Sequence, residues 1–112
     1  MDEYKKVMRH RITVGMKDSE TKKQELTSSR IQSLICTICR GYRMGYTTEF
    51  MRGGYFHEDG TFVAEESLCI TLIGADDAMT ESIAKDLCAF LNQETVLVTR
   101  EVVDCRVIKD KV

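Results

Sequence analysis

The chain has 112 residues, of which 43% are hydrophobic and 30% charged, and its formal net charge is -2. This length is typical of one domain with its own hydrophobic core, so we expect a single domain spanning residues 1–112. Acidic and basic residues are scattered along the chain, which excludes the basic surface typical of proteins that bind nucleic acid or anionic membranes. The apolar runs are too short to span a membrane and the amino terminus has no secretion signal, so we expect a cytoplasmic protein.

The first predicted strand covers residues 7–16. Within it His10, Ile12 and Val14 alternate with polar residues, which predicts a strand with one buried face. His10 falls on that buried face. We therefore expect it to have a hydrogen-bonded structural role.

A helix is predicted after this strand. Thr21 and Gln24 have capping-box spacing, and apolar residues then recur at three- and four-residue intervals up to Gly41, a plausible terminator. Cys36 and Cys39 form a C-x-x-C pair inside this helix, whereas a reactive redox pair lies at a helix amino terminus. No second cysteine pair at metal-ligand spacing accompanies it. We interpret both cysteines as packing residues and predict neither a metal nor a cofactor.

Two further strands are predicted over residues 46–57 and 62–73, with Asp59-Gly60 between them. Asp-Gly between two strand-like runs is a strong hairpin signal, because a tight turn needs positive φ angles. A two-residue turn there would point Glu49 into the core. We favour a one-residue bulge at Gly53-Gly54, which would turn Glu49 outward and Phe50 inward.

A second helix and a last strand complete the predicted order. Asp76 or Asp77 can cap the helix, and Asn92 suits the left-handed position that closes it. The buried side of this helix is marked by Met79, Ile83, Leu87, Phe90 and Leu91. The last strand is predicted over residues 95–108, where the charge of Glu101 favours a bulge or a break near Arg100-Glu101.

This β-α-β-β-α-β order predicts an α+β sandwich of ferredoxin-like topology, in which a four-stranded antiparallel sheet carries two helices on one face. The helix-free face would carry Cys69, Thr71 and Ile73, which is too apolar for a free surface. We therefore predict a homo-oligomer formed through this open sheet face, with a dimer favoured over a trimer.

Candidate functional residues concentrate on the hairpin. His57 and Glu49 are the candidate acid-base groups, since His57 lies beside the turn and an imidazole titrates near neutral pH. The candidates for ligand binding on the hairpin carry aromatic or ionisable side chains: Tyr46, Arg52, Tyr55 and Glu66. An ordinary solvated hairpin remains the alternative interpretation. No glycine-rich phosphate loop or nucleophile motif is present in the sequence.

Several short runs resemble a small bacterial family of uncharacterised ferredoxin-like proteins. These runs are Gly53-Gly54-Tyr55, Asp59-Gly60-Thr61, Glu65-Glu66-Ser67 and Asn92-Gln93-Glu94-Thr95-Val96-Leu97-Val98, within a resemblance that covers residues 12–107. The resemblance implies the fold and carries no function. Glu66, Gln93 and Glu94 match the family's pattern, so Gln93 and Glu94 join the ligand-binding candidates.

The element order is also similar to that of PII-like signalling proteins, which carry ligands between the subunits of a trimer. This sequence lacks a recognisable nucleotide-binding glycine motif, and its hairpin is short for a long signalling loop. The similarity therefore implies topology and does not imply nucleotide binding.

Three hypotheses for function follow from the sequence, which leaves open whether the protein is an enzyme. The first is a non-catalytic oligomeric module that binds a small ligand or regulates. The second is a small enzyme with an acid-base site around the hairpin, with His57 or Glu49 as acid-base group and Tyr46 or Arg52 orienting the substrate. The third is a structural subunit of a larger assembly.

Overall fold

The computed structural model describes residues 3–15, 26–56, 58–93 and 96–110, with the side chain of Tyr55 outside the description. In these residues the elements are β1 (Lys5–Gly15), α1 (Ser28–Gly41), β2 (Thr47–Phe56), β3 (Phe62–Ile73), α2 (Asp77–Phe90) and β4 (Leu97–Cys105). The strands form an antiparallel sheet in the order β2-β3-β1-β4. The predicted ferredoxin-like α+β fold is therefore confirmed. None of the helices in the described ranges is long and apolar enough to cross a bilayer.

The hydrophobic core lies between one face of the sheet and the two helices. Its buried side chains come from alternate positions on β1 and β3 and from one stripe on each helix, and include Ile12, Val14, Leu68, Ile70, Leu72, Ile31, Ile35, Ile83 and Leu87. Burying each of the larger aliphatic side chains contributes about 1.5–3 kcal/mol. Phe90, expected on the buried side of α2, is 58% exposed. It is the last residue of the helix, and the next residue, Leu91, packs against the core instead.

Side-chain caps begin both helices. The hydroxyl of Thr27 accepts a hydrogen bond at 3.1 Å from the backbone N–H three residues later, and the carboxylate of Asp76 does the same at 2.7 Å. Capping by Asp76 was one of the two options that the sequence left open. The capping box expected at Thr21 and Gln24 lies outside the described residues. Asn92 has a φ angle of 47° after α2, as predicted.

The side chains of β2 lie on the predicted sides of the sheet, but the cause is not the predicted bulge. β2 pairs with β3 without interruption, so the predicted bulge at Gly53-Gly54 does not form. Phe56 pairs with Phe62, which leaves the five residues 57–61 between the strands instead of a two-residue turn. This longer connection shifts the pairing by one position, and a shift of one position reverses the facing of every side chain on β2. Glu49 therefore lies on the helix-free face, and Phe50 lies on the helix side.

The bulge predicted in the last strand is also absent. β4 pairs continuously with β1 from Leu97 to Cys105. Glu101 lies opposite Arg9 on the helix-free face, and the two side chains form an ion pair. Because the charge of Glu101 already faces away from the core, no irregularity is needed to remove it.

The helix-free face combines apolar and charged side chains. Cys69, Thr71 and Ile73 lie on it, as predicted from the alternation along β3. The guanidinium of Arg11 lies 3.2 Å from the carboxylate of Glu49, next to the pair formed by Arg9 and Glu101. The helix-free face is therefore more charged than the apolar surface that the sequence predicted.

Candidate functional site

One surface of the β2-β3 hairpin carries exposed aromatic rings beside an ion pair. We call it the hairpin surface and define it by Phe50, Arg52, Phe56, Phe62 and Glu66, which share the helix side of the two strands. The three phenylalanines are 48%, 71% and 57% exposed in chain order. Aromatic side chains have a large apolar area, so leaving them in water forgoes more free energy of burial than leaving a smaller side chain there. An exposed cluster of them marks a surface that binds a ligand or a partner.

The rings of Phe56 and Phe62 are held in a defined arrangement. Their centroids are 5.2 Å apart with an interplanar angle of 66°, an edge-to-face contact. The ring of Phe62 also lies over Gly54, where an added Cβ would be 2.1 Å from its Cζ atom. The glycine therefore leaves the space in which this ring lies.

The ion pair on the hairpin surface is weakly held. Arg52 Nε lies 3.4 Å from Glu66 Oε1, and the side chains are 87% and 55% exposed. An exposed pair of this kind contributes at most about 1 kcal/mol. The Glu66 carboxylate can therefore exchange Arg52 for a cationic ligand at small cost.

The structure brings two of the hairpin candidates together and places two others on different surfaces. Arg52 and Glu66 are brought together. Glu49 lies on the opposite face with Arg11. Tyr46 packs against the core periphery and hydrogen-bonds to Cys36, which is the main cause of a raised pKa of the Tyr46 hydroxyl.

The remaining candidates lie elsewhere or outside the description. Gln93 is partly buried after α2, and its side-chain amide donates to the Leu91 carbonyl at 3.4 Å. His57, Glu94 and the side chain of Tyr55 lie outside the described residues. Their assignment to a site stays a prediction.

The two cysteines of the C-x-x-C pair behave as packing residues. Both thiols are free, and Cys39 is buried in the core while Cys36 is half-buried. Burial raises the pKa of the Cys39 thiol, with a smaller contribution from Cys36. A raised pKa disfavours the thiolate, which is the form that redox and metal chemistry need. Within the described ranges no group of three or more His, Cys, Asp or Glu side chains is arranged to hold a metal ion.

A second candidate site, which the sequence did not predict, lies at the other edge of the sheet. A cleft of about 530 Å³ opens between α2 and β4, and we call it the α2/β4 cleft. Its lining includes His10, Asp77, Lys85, Val98 and Arg100. A cavity of this volume is in the range of small-molecule sites.

A three-residue polar network forms one end of this cleft. His10 Nε2 lies 2.8 Å from Asp77 Oδ1, and Arg100 donates to the other carboxylate oxygen. The hydrogen bond from Arg100, followed by that from His10, lowers the pKa of the Asp77 carboxyl. His10 and Arg100 are directly paired across β1 and β4. Finding this network from the sequence would have required the strand register, since the three residues are far apart in the chain.

Solved structures with the same fold include two of a phage SAM lyase. The lyase in its apo state has a TM-score of 0.64 and 20% sequence identity, with coverage of 95% of this chain and 94% of that chain. The lyase in complex with S-methyl-5'-thioadenosine has a TM-score of 0.63 and 20% identity, covering 90% of each chain. CutA1 from Pyrococcus horikoshii OT3 has a TM-score of 0.55 and 10% identity, with coverage of 92% of this chain and 87% of that chain. No protein-family model and no curated protein matches the chain.

These likenesses show a shared fold. CutA1 has the PII-like variant of the ferredoxin-like fold, so the similarity in topology to PII-like proteins is supported. The resemblance to a bacterial family of ferredoxin-like proteins stays a prediction. At 20% identity and below, the function of a neighbour is not shown for this chain.

Proposed function

We propose that this protein binds S-adenosylmethionine on the hairpin surface and cleaves it, releasing S-methyl-5'-thioadenosine. The observation that carries the proposal is the exposed carboxylate of Glu66 on the same surface as the ring pair of Phe56 and Phe62. The likeness in fold to a phage SAM lyase over most of both chains supports this class of ligand. The proposal keeps the hypothesis of a small enzyme at the hairpin. The main charged group is Glu66, which would hold the cationic substrate, instead of an acid-base group at Glu49 or His57.

The chemistry of the hairpin surface fits a sulfonium nucleoside. A sulfonium cation pairs with a carboxylate, and it is also attracted to the face of an aromatic ring. A purine base stacks on exposed aromatic side chains, which contributes about 1–3 kcal/mol per base. Glu66 would hold the cation, and Phe56 or Phe62 would offer the stacking surface.

The proposed cleavage needs no cofactor. When the bond between sulfur and the amino-acid carbon breaks, its electron pair returns to sulfur and S-methyl-5'-thioadenosine leaves neutral. The same carbon forms a new bond to the substrate's own carboxylate oxygen, so the fragment leaves as a lactone and the step needs no base from the protein. Because the product sulfur has no charge, its attraction to Glu66 disappears, which favours product release.

We also retain a homo-oligomer in this proposal, with a dimer favoured over a trimer through the helix-free face. The exposed apolar side chains of Ile73 and Leu97 on that face support it. The two ion pairs on this face also offer charges of both signs with which a second copy could pair.

The test is turnover of S-adenosylmethionine by the purified protein, followed by chromatography of S-methyl-5'-thioadenosine. We expect enzyme-dependent product, and we expect Glu66→Gln to lower kcat/KM by roughly ten-fold or more, since it removes the charge that binds the sulfonium. Glu65→Gln is the matched control, because Glu65 is the adjacent carboxylate on the other face of β3. It should keep most of the activity.

A non-catalytic binding module for the same ligand is the second candidate, because the hairpin surface offers binding groups without a described imidazole nearby. In that case S-adenosylmethionine raises the melting temperature without forming product. If it neither binds nor reacts, both candidates are wrong.

A further inference from the structure

The α2/β4 cleft is separate from the hairpin surface. β2 and β4 are the two edge strands of the sheet, so the cleft and the hairpin surface lie at opposite edges. No residue of the hairpin surface lines the cleft. A ligand in the cleft would therefore not contact the residues of the hairpin surface.

His10 lines the α2/β4 cleft, and its side chain carries a buried nitrogen that lacks a hydrogen-bond partner. His10 is 1% exposed, and among the described residues its Nδ1 has no hydrogen-bond partner. Asp77 also accepts from Arg100, and the lowered pKa of its carboxyl keeps it ionised, so His10 Nε2 donates to it. In the neutral imidazole this leaves Nδ1 as an acceptor. Buried polar atoms in folded proteins almost always have partners, so this atom calls for an O–H or N–H donor.

The rim of the cleft carries two ion pairs, and its floor is apolar. Arg100 pairs with Asp77, and Lys85 Nζ lies 3.1 Å from Glu81 Oε1. The four side chains are more than half exposed, so each pair can be exchanged for a ligand group at small cost. The floor is formed by Ala84, Cys88, Val96 and Val98.

We propose that the α2/β4 cleft binds a free α-amino acid with a small apolar side chain. Its amino group donates to His10 Nδ1, and its carboxylate pairs with Arg100 or Lys85. Its side chain packs on the apolar floor. An α-amino acid supplies both the donor that His10 Nδ1 lacks and an anion for one rim cation, and the side-chain carboxylate displaced from that cation is more than half exposed and stays in water.

The experiment is a thermal-shift series on the full chain with individual L-α-amino acids. A ligand at about ten times its Kd raises the melting temperature of a domain this size by roughly 5 °C. We expect at least one apolar amino acid to do so, and we expect its decarboxylated amine and its N-acetyl derivative to have no effect. Long-range ¹H–¹⁵N spectra should show the Nδ1 resonance of His10 shifting on binding. His57 is the other histidine in the sequence, so a His57→Asn variant assigns the signals.

The variant that tests the location is Val98→Phe, which places a larger side chain in the lining of the cleft and should abolish the thermal shift. Val102→Phe is the matched control, since Val102 lies on the same strand and the same side but does not line the cleft. The proposal is overturned if no amino acid raises the melting temperature, or if α-hydroxy acids, amines or N-acetyl derivatives act equally well. It is also overturned if Val98→Phe responds like the parent protein.

Discussion

His10 on β1 and Asp77 in the first turn of α2 are joined by a hydrogen bond of 2.8 Å between Nε2 and Oδ1. The imidazole is buried and the carboxylate is exposed, so the bond connects the interior of the sheet to the surface of the helix. Arg100 on β4 donates to the same carboxylate. Asp77 therefore ties β1, β4 and α2 together at one edge of the sheet.

The first prediction concerns acid stability. The pKa of Asp77 in the folded protein is lowered from its ordinary value of 3.8. As the pH falls, the unfolded state therefore protonates this carboxylate at a higher pH than the folded state does. The contribution of Asp77 to stability is therefore present above that ordinary value and is lost as the pH falls through the lower folded value. We expect the free energy of unfolding, measured by urea denaturation between about pH 5 and about pH 3, to fall more steeply in the parent protein than in Asp77→Asn. Equal slopes would contradict this.

The second prediction tests the ring arrangement of the hairpin surface. In Gly54→Ala the new Cβ would overlap the ring of Phe62, which must swing away. Since that ring is largely exposed, we expect stability to change by less than about 1 kcal/mol. Activity on S-adenosylmethionine should fall by roughly ten-fold if the ring binds the substrate.

Gly53→Ala is the control for this substitution, because a Cβ at Gly53 meets no atom within 4 Å. It should leave both stability and activity close to those of the parent. Full activity of Gly54→Ala, with the Phe62 ring shown to have moved, would remove Phe62 from the proposed mechanism.

The third prediction tests the oligomer. Leu97→Lys places a charge on the helix-free face, and Val102→Lys places one on the helix side of the same strand. The parent side chains are similarly exposed, at 62% and 60%. We expect light scattering to show an oligomer that Leu97→Lys dissociates and Val102→Lys does not. A monomeric parent protein, or dissociation by Val102→Lys alone, would be the contrary result.

The fourth prediction separates packing from redox chemistry at the C-x-x-C pair. Cys39→Ser should destabilise the fold by about 1–3 kcal/mol more than Cys39→Ala, since serine buries a hydroxyl at a site lined by apolar side chains. Urea denaturation measures the difference. Reducing agent should leave the melting temperature of the parent unchanged. A shift on reduction that disappears in Cys36→Ala would contradict the packing interpretation, since it would show a disulfide that involves this pair.

The topology could be predicted because it depends on local patterns. Alternation along β1 and β3 identified the buried face of each strand, and Asp76 and Asn92 marked the two ends of α2. The facing of Glu49 was also predicted correctly, but the bulge proposed to produce it was wrong. A shift of one position in the pairing can come from a bulge in the strand or from a longer turn, and both put the same β2 side chains on the same side of the sheet.

The site could be predicted only in part. Arg52 and Glu66 were expected to belong to it, and the structure brings them together on one face. Tyr46 and Glu49 are close to them in the chain, yet alternate facing and the start of β2 place these two on other surfaces. The importance of Phe62 was missed, because an aromatic residue in a strand normally indicates core packing.

The sequence by itself determined the element order and the buried faces of β1 and β3, and it narrowed the cap of α2 to Asp76 or Asp77, since these features depend on periodicity and on contacts between near neighbours. The tertiary structure decided which distant groups meet. The network of His10, Asp77 and Arg100 exists only because β4 pairs with β1 in one register and the first residue of α2, Asp77, lies beside both strands. That register is set by long-range strand pairing, for which no short segment of the chain carries the information.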